Sequence, residues 1–168
     1  MTFAPQIKTE RLILRHMTEH DLDDYARICA DPETVRFIGD GQPLDRAAAW
    51  RSMAFLLGHW TIRGYGMWAV VQRDLGRFIG RIGLHNPEGW PGLEVGWMID
   101  RAFRGQGYAT EGGRVALGFA FQNLGVPRVI SLIHPDNQPS IRVAEKLEGV
   151  LAGEETVGGQ GALVYEYR

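Results

Sequence analysis

Residues 93–111, LEVGWMIDRAFRGQGYATE, decide how the chain is read. Residues 93–99 are a short apolar run rich in β-formers between Gly92 and Asp100, the pattern of a buried strand. The chain then turns through Arg104, Gly105, Gln106, Gly107 and Tyr108, with the two glycines flanking Gln106. From Thr110 apolar residues recur at helical spacing as far as Gly125. A strand, a glycine turn and a helix N-terminus make an anion site. The first amides of a helix have no internal partner, and its dipole leaves partial positive charge there. Glycines let the backbone close around a phosphate, and Arg104 adds a charged donor.

Composition narrows what such a site serves. The chain has 168 residues, 45% apolar and 23% charged, which suits one soluble globular domain with a sizeable core. The net charge of −2 argues against nucleic acid or an anionic membrane surface as partner. No apolar run approaches the roughly 20 residues of a membrane span, and MTFAPQIKTE lacks a signal-peptide core. The single cysteine excludes an internal disulfide and a cysteine-based zinc site, and no metal site is expected. A cytoplasmic location is the expectation.

Residues 9–15 alternate as a first strand, and Thr18 with Asp21 resembles a capping box before a helix carrying Leu22, Tyr25, Ala26 and Cys29. Cys29 on that stripe reads as a small core side chain. Pro32 ends the helix, and residues 36–43 form a loop. Asp45 caps a second helix whose buried stripe is Trp50, Met53, Ala54 and Leu57. Strands follow at Met67–Gln72 and 78–85, with a turn at 74–76, then a loop at 86–92 and the strand already described. The helix after the glycine turn carries Gly112, Gly113 and Gly118, each costing about 1 kcal/mol relative to Ala; packing must offset that, and small residues permit close approach to the sheet or cofactor. Val129–Ile133 is a strand, 140–147 a helix, and 150–156 and 163–167 are strands. The order β-α-α-β-β-β-α-β-α-β-β implies a mixed sheet with helices on its faces.

Three phosphate-binding designs share the glycine turn. A Walker loop needs Gly-Lys-Ser/Thr, and no lysine is near. A dinucleotide fingerprint needs a third Gly or Ala where Thr110 stands, near the start of a βαβ unit. The third is Gln/Arg-x-x-Gly-x-Gly/Ala, which RGQGYA at 104–109 fits at every specified position. That pattern belongs to the acetyl-CoA loop of the GNAT N-acetyltransferases. The opening KTERLILRHMTEHDLDDY, the strand FIGRIGL and the segment VPRVISLIHPDNQPSIRVAEKLEG extend the resemblance to the RimJ/RimL-like group over most of the chain.

The resemblance implies an α/β (α+β) fold with a mostly antiparallel central sheet of about seven strands, splayed at the fourth, and helices on both faces. It implies acetyl-CoA as cofactor, with backbone around Trp97, Met98 and Ile99 along the pantetheine arm. Pyrophosphate would lie on the amides of Arg104, Gly105, Gln106, Gly107, Tyr108 and Ala109, with Thr110 beside them. Asn137 would face pantetheine and Ser140 would lie near the sulfur. The group's usual Leu-Gly-Phe after the last helix is Leu147-Glu148-Gly149-Val150 here. Homodimers are common in the family.

Acetyl transfer to an amine needs a neutral amine and a leaving thiol. Glu94, at the start of the strand beside the expected splay, is the candidate base; a solvent-facing or ion-paired carboxylate is the alternative. His85 is a second candidate there, and His134 sits before Pro135. Ser140 is the candidate proton donor to sulfur, or else a helix-capping hydroxyl, with Asn137 as the other possible cap. Most of the five tryptophans read as core, and Trp90 with His85 is placed at the acceptor entrance. The expected activity is N-acetylation of a primary amine, favouring a protein N-terminal α-amine. The alternatives are a small-molecule amine, a non-catalytic acyl-CoA-binding module, or a nucleotide-binding domain.

Overall fold

The computed structural model describes residues 4–168. Eight strands form one sheet in the order β1-β2-β3-β4-β5-β6-β8-β7. They are β1 (Ile7–Lys8), β2 (Leu12–Arg15), β3 (Met67–Gln72), β4 (Arg77–His85), β5 (Glu94–Ile99), β6 (Val129–Ile133), β7 (Val150–Val157) and β8 (Gln160–Tyr167). Every neighbouring pair is antiparallel except β5 with β6. The helices are α1 (Leu22–Cys29), α2 (Pro32–Val35), α3 (Arg46–Arg63), α4 (Tyr108–Gly118) and α5 (Gln138–Lys146).

The sheet has one strand more than expected because residues 9–15 are not one strand. The Thr9 hydroxyl accepts the Leu12 N–H at 2.9 Å, the chain reverses there, and Ile7–Lys8 folds back on Ile13–Leu14. The expected fourth strand is therefore β5. Pro32 opens α2 instead of only closing α1, because its missing N–H costs nothing in a first turn, and Asp31 caps that helix.

Two apolar layers sandwich the sheet. Leu12, Leu14, Trp68, Ile82, Leu84, Val95 and Val129 pack under α4 and α5. Met67, Ala69, Phe78 and Met98 pack under α1 and α3. Asp45 caps α3 at the Ala48 N–H, 2.7 Å. The α3 stripe, however, is Ala49, Met53, Leu56 and Trp60; Trp50 is 52% exposed and Ala54 is exposed too. This helix is apolar on several sides, so periodicity alone did not single out the face that Trp60 fixes by donating to the Met67 carbonyl at 2.8 Å. Gly112 and Gly113 have the anticipated steric reason: a Cβ would lie 2.5 Å from Ile82 and 2.7 Å from Leu147, whereas at Gly118 nothing lies within 4 Å and packing does not call for a small residue. No helix among the described residues is long and apolar enough to cross a membrane.

Candidate active site

The site begins where β5 and β6 part. They share a single register pair, Glu94 with Ile130, fixed by the Ile130 N–H donating to the Leu93 carbonyl at 2.8 Å. The Ser131 hydroxyl then takes the place of the next ladder bond, donating to the Val95 carbonyl at 2.7 Å. Tyr167 lies 3.1 Å from the same hydroxyl, with burial pushing its phenol up to about 12. Beyond Val95 the strands are apart. Backbone direction alternates along a strand, so the N–H groups of Trp97 and Ile99 face the gap while Met98 pairs with β4.

A cleft of about 460 Å³ runs into this gap. Its walls include Trp97, Met98, Ile99, Arg104, Gly105, Gly107, Tyr108, Ala109, Thr110, Asn137 and Ser140. Gln106 is exposed and its side chain is not among the walls; its backbone carbonyl accepts from Arg11 Nη1 at 2.8 Å. Arg104 lines the cleft from the loop's start. Its Nε donates to the Ile99 carbonyl at 3.0 Å, which ties the loop to the end of β5.

The loop is shaped to receive an anion. Gly105 and Gly107 have φ of 75° and 84°, where a side chain would be strained. Asp31, Asp45 and Asn137 cap α2, α3 and α5, but no side chain caps α4. Its first amides are left for a ligand. Arg36, Arg142 and Lys146 add positive charge along the cleft. Behind the loop, Glu111 accepts from Thr9 Oγ1 at 2.6 Å and from Arg11 Nε at 2.7 Å, and the Arg11 guanidinium lies 4.7 Å from the centre of the Tyr108 ring. Sequence reading missed these residues. Arg142 and Lys146 are four apart on one helix, a legible signal once α5 is placed; Arg11 and Glu111 are 100 residues apart and carry none.

Glu94 lies at the apex of the gap. Trp90 Nε1 donates to its Oε2 at 2.8 Å and the Leu132 N–H to its Oε1 at 3.4 Å. Burial raises its carboxyl to about 7, while those two hydrogen bonds and the charge of Arg81 pull the other way. His85, its register partner on β4, is held by burial, Arg81 and His59 down to about 4, and is therefore neutral near pH 7. His85 stacks on His59 at 5.6 Å and meets the edge of Trp90 at 5.0 Å. Together His85 and Trp90 wall Glu94 outside the cleft itself.

Across the gap, Trp97 Nε1 lies 3.2 Å from Ser140 Oγ, so the hydroxyl accepts and keeps its own proton. Asn137, not Ser140, caps α5, its Oδ1 accepting the Ser140 N–H at 3.3 Å. At the mouth, His134 stacks on Phe37 at 5.0 Å.

The family model for the acetyltransferase (GNAT) domain matches residues 11–150. The chain belongs to this family. GNAT enzymes are acetyl-CoA-dependent acyltransferases, and the uncapped α4 turn, left-handed glycines and basic cleft fit that cofactor. The chain is similar to an acetyltransferase from Agrobacterium tumefaciens, with 31% identity, TM-score 0.87 and coverage of 98% of this chain and 95% of that one. An N-acetyltransferase named p20 from Bacillus licheniformis is 27% identical over 95% of this chain and 92% of its own. RimL, a ribosomal-protein α-N-acetyltransferase solved in complex with coenzyme A, has the same fold at TM-score 0.81 and 18% identity, with 97% of each chain covered.

Proposed function

We propose that this protein is a cytoplasmic N-acetyltransferase that passes an acetyl group directly to a primary amine, with a protein N-terminal α-amine as the favoured acceptor. The observation that carries the reading is Glu94: a carboxyl raised to about 7, at the apex of the strand gap that the cofactor cleft enters. Acetyl-CoA supplies a thioester whose acetyl group the amine takes, releasing a thiol. The amides of Gly105 to Thr110 hold the pyrophosphate, and the gap-facing backbone of Trp97 and Ile99 holds the pantetheine arm.

Glu94 removes the ammonium proton, directly or through one water. An α-amine titrates near about 8, roughly one unit above Glu94, whereas lysine at about 10.4 lies some 3.4 units above, on the order of 4.6 kcal/mol. The carboxyl is thus matched to an α-amine. The free N–H of Trp97 or Ile99 is the donor for negative charge on the reacting oxygen. Ser140, with its oxygen engaged by Trp97, has its proton available for the departing sulfur. Burial pushes the Cys29 thiol up, and it sits in the α1 core, so it is no acetyl carrier.

Thermal stability with CoA, acetyl-CoA, ATP and NAD tests the cofactor cleft, and thiol release with an N-terminally free peptide tests turnover. Both CoA species should stabilise, by roughly 2.7 kcal/mol at 100 times Kd, ATP and NAD should not, and thiol should appear. Stabilisation without thiol release from any amine would favour a non-catalytic acyl-CoA-binding module instead.

A further inference from the structure

Arg81 is a charged group near this site whose presence the fold does not explain. It lies on β4 opposite Met98 of β5 and Ala69 of β3, on the face covered by α1 and α3. The surroundings are apolar, yet its Nε is fully buried and has no hydrogen-bond partner among the described residues. Nor does its guanidinium form an ion pair among them: both oxygens of Glu94 are engaged by Trp90 and Leu132. By contrast, Arg11, Arg15 and Arg27 all hold carboxylates. A buried, unpaired donor is costly, and a methionine of similar length would suit this floor better.

The two Nη atoms of the same guanidinium also have no partner among the described residues but are not fully buried, and their location says what they are for. The cofactor cleft includes Met98, the cross-strand partner of Arg81, so the cleft reaches the same sheet face. Glu94 lies on that face too, opposite His85. An acceptor whose amine is at Glu94 therefore approaches a guanidinium on the same strand pair, four residues along β4 from His85 and near enough for its charge to act on Glu94. Building on the acetyl-transfer reading above, we propose that Arg81 is a specificity residue that donates hydrogen bonds to the carbonyl or carboxylate oxygen beside the acceptor's amine. The acceptor class is then the α-amino acyl unit: amine, one carbon, and an oxygen-bearing carbonyl. A polyamine offers no such oxygen and brings a second cation, which Arg81 repels. Trp90 and His85 remain as an aromatic wall for whatever side chain the acceptor carries.

The experiment measures kcat/KM by thiol release for phenylalanine, phenylalaninamide, phenethylamine and spermidine, with the wild type and Arg81→Met. Comparing the two enzymes on one amine cancels that amine's own pKa. CoA-dependent thermal stabilisation of Arg81→Met shows that the variant is folded. The expected result is a loss of roughly 10–100-fold on phenylalanine and phenylalaninamide, less than threefold on phenethylamine, and a gain on spermidine. Phenylalanine losing more than its amide assigns the site to free amino acids; equal losses assign it to peptide N-termini. A loss equal across all four amines, or none on phenylalaninamide, would overturn the proposal. No thiol release from any amine by a wild type that binds CoA would remove the acetyl-transfer reading itself, and this proposal with it.

Discussion

The two faces of β5 are made by the same six residues and do opposite work. Val95, Trp97 and Ile99 turn to the α4–α5 side and join a cluster of aliphatic and aromatic groups in which, among the described residues, no fully buried side-chain N or O atom lacks a partner. Glu94, Gly96 and Met98 turn to the α1–α3 side, where a raised carboxyl, a neutral imidazole and an unpaired guanidinium stand within one strand pair. The first face is built for stability and the second carries stress that stability must offset. The strand's gap toward β6 lets one cleft serve both.

The largest expected effect breaks the comparison from the stable side. Ile82 is fully buried, and Ile82→Ala should cost about 2–5 kcal/mol in denaturant unfolding while leaving kcat nearly unchanged in the folded fraction. A kcat collapse with little stability loss would show that the two faces are not separable. Glu94→Gln should do the reverse. A carboxyl raised from about 4.5 to about 7 binds its proton more tightly in the folded protein, so wild-type stability falls as pH rises through that window and stays lowered above it. Gln does not titrate, so the variant should gain stability relative to wild type between pH 5 and pH 8. Equal pH dependence of the two melting curves would mean that Glu94 is not buried as described.

The smallest effect lies away from both faces. Glu148 holds φ of 65° at the end of α5, where the Glu148 N–H bonds the Glu145 carbonyl and the Gly149 N–H the Ala144 carbonyl. This is a Schellman ending with glycine one place late. Glycine is needed at 149 instead, where a Cβ would lie 2.8 Å from the Tyr167 ring. Glu148→Gly should therefore stabilise by about 0.5–1 kcal/mol, read from the unfolding midpoint, with activity unchanged. Destabilisation would mean that the Glu148 side chain contributes a contact outweighing its backbone strain.

How much of this was legible in sequence depended on how local the cause was. The glycine turn, β3, β6 and the caps Asp45 and Asn137 are set by residues within a few positions, and they read correctly or nearly so. The α3 stripe failed because Trp50 and Trp60 look alike until Met67 supplies a carbonyl for one of them. The first strand failed because a hydroxyl at Thr9, not a Gly or Pro, makes its turn. The Arg11–Glu111 brace and the face of Arg81 arise only when distant strands meet. The place of Glu94 at the start of a strand was legible, but its hydrogen bonds to Trp90 and β6 were not.

The central claim is that Glu94 is the base at the strand gap. The direct measurement is kcat/KM against pH for N-acetylation of phenylalaninamide by the wild type and Glu94→Gln. The wild type should rise through a limb near 7 in addition to the amine's own limb near about 8, and the variant should lose the lower limb together with roughly 10²–10⁴ in rate. An unchanged profile and rate in Glu94→Gln would contradict the assignment and leave the proton to another group or to water.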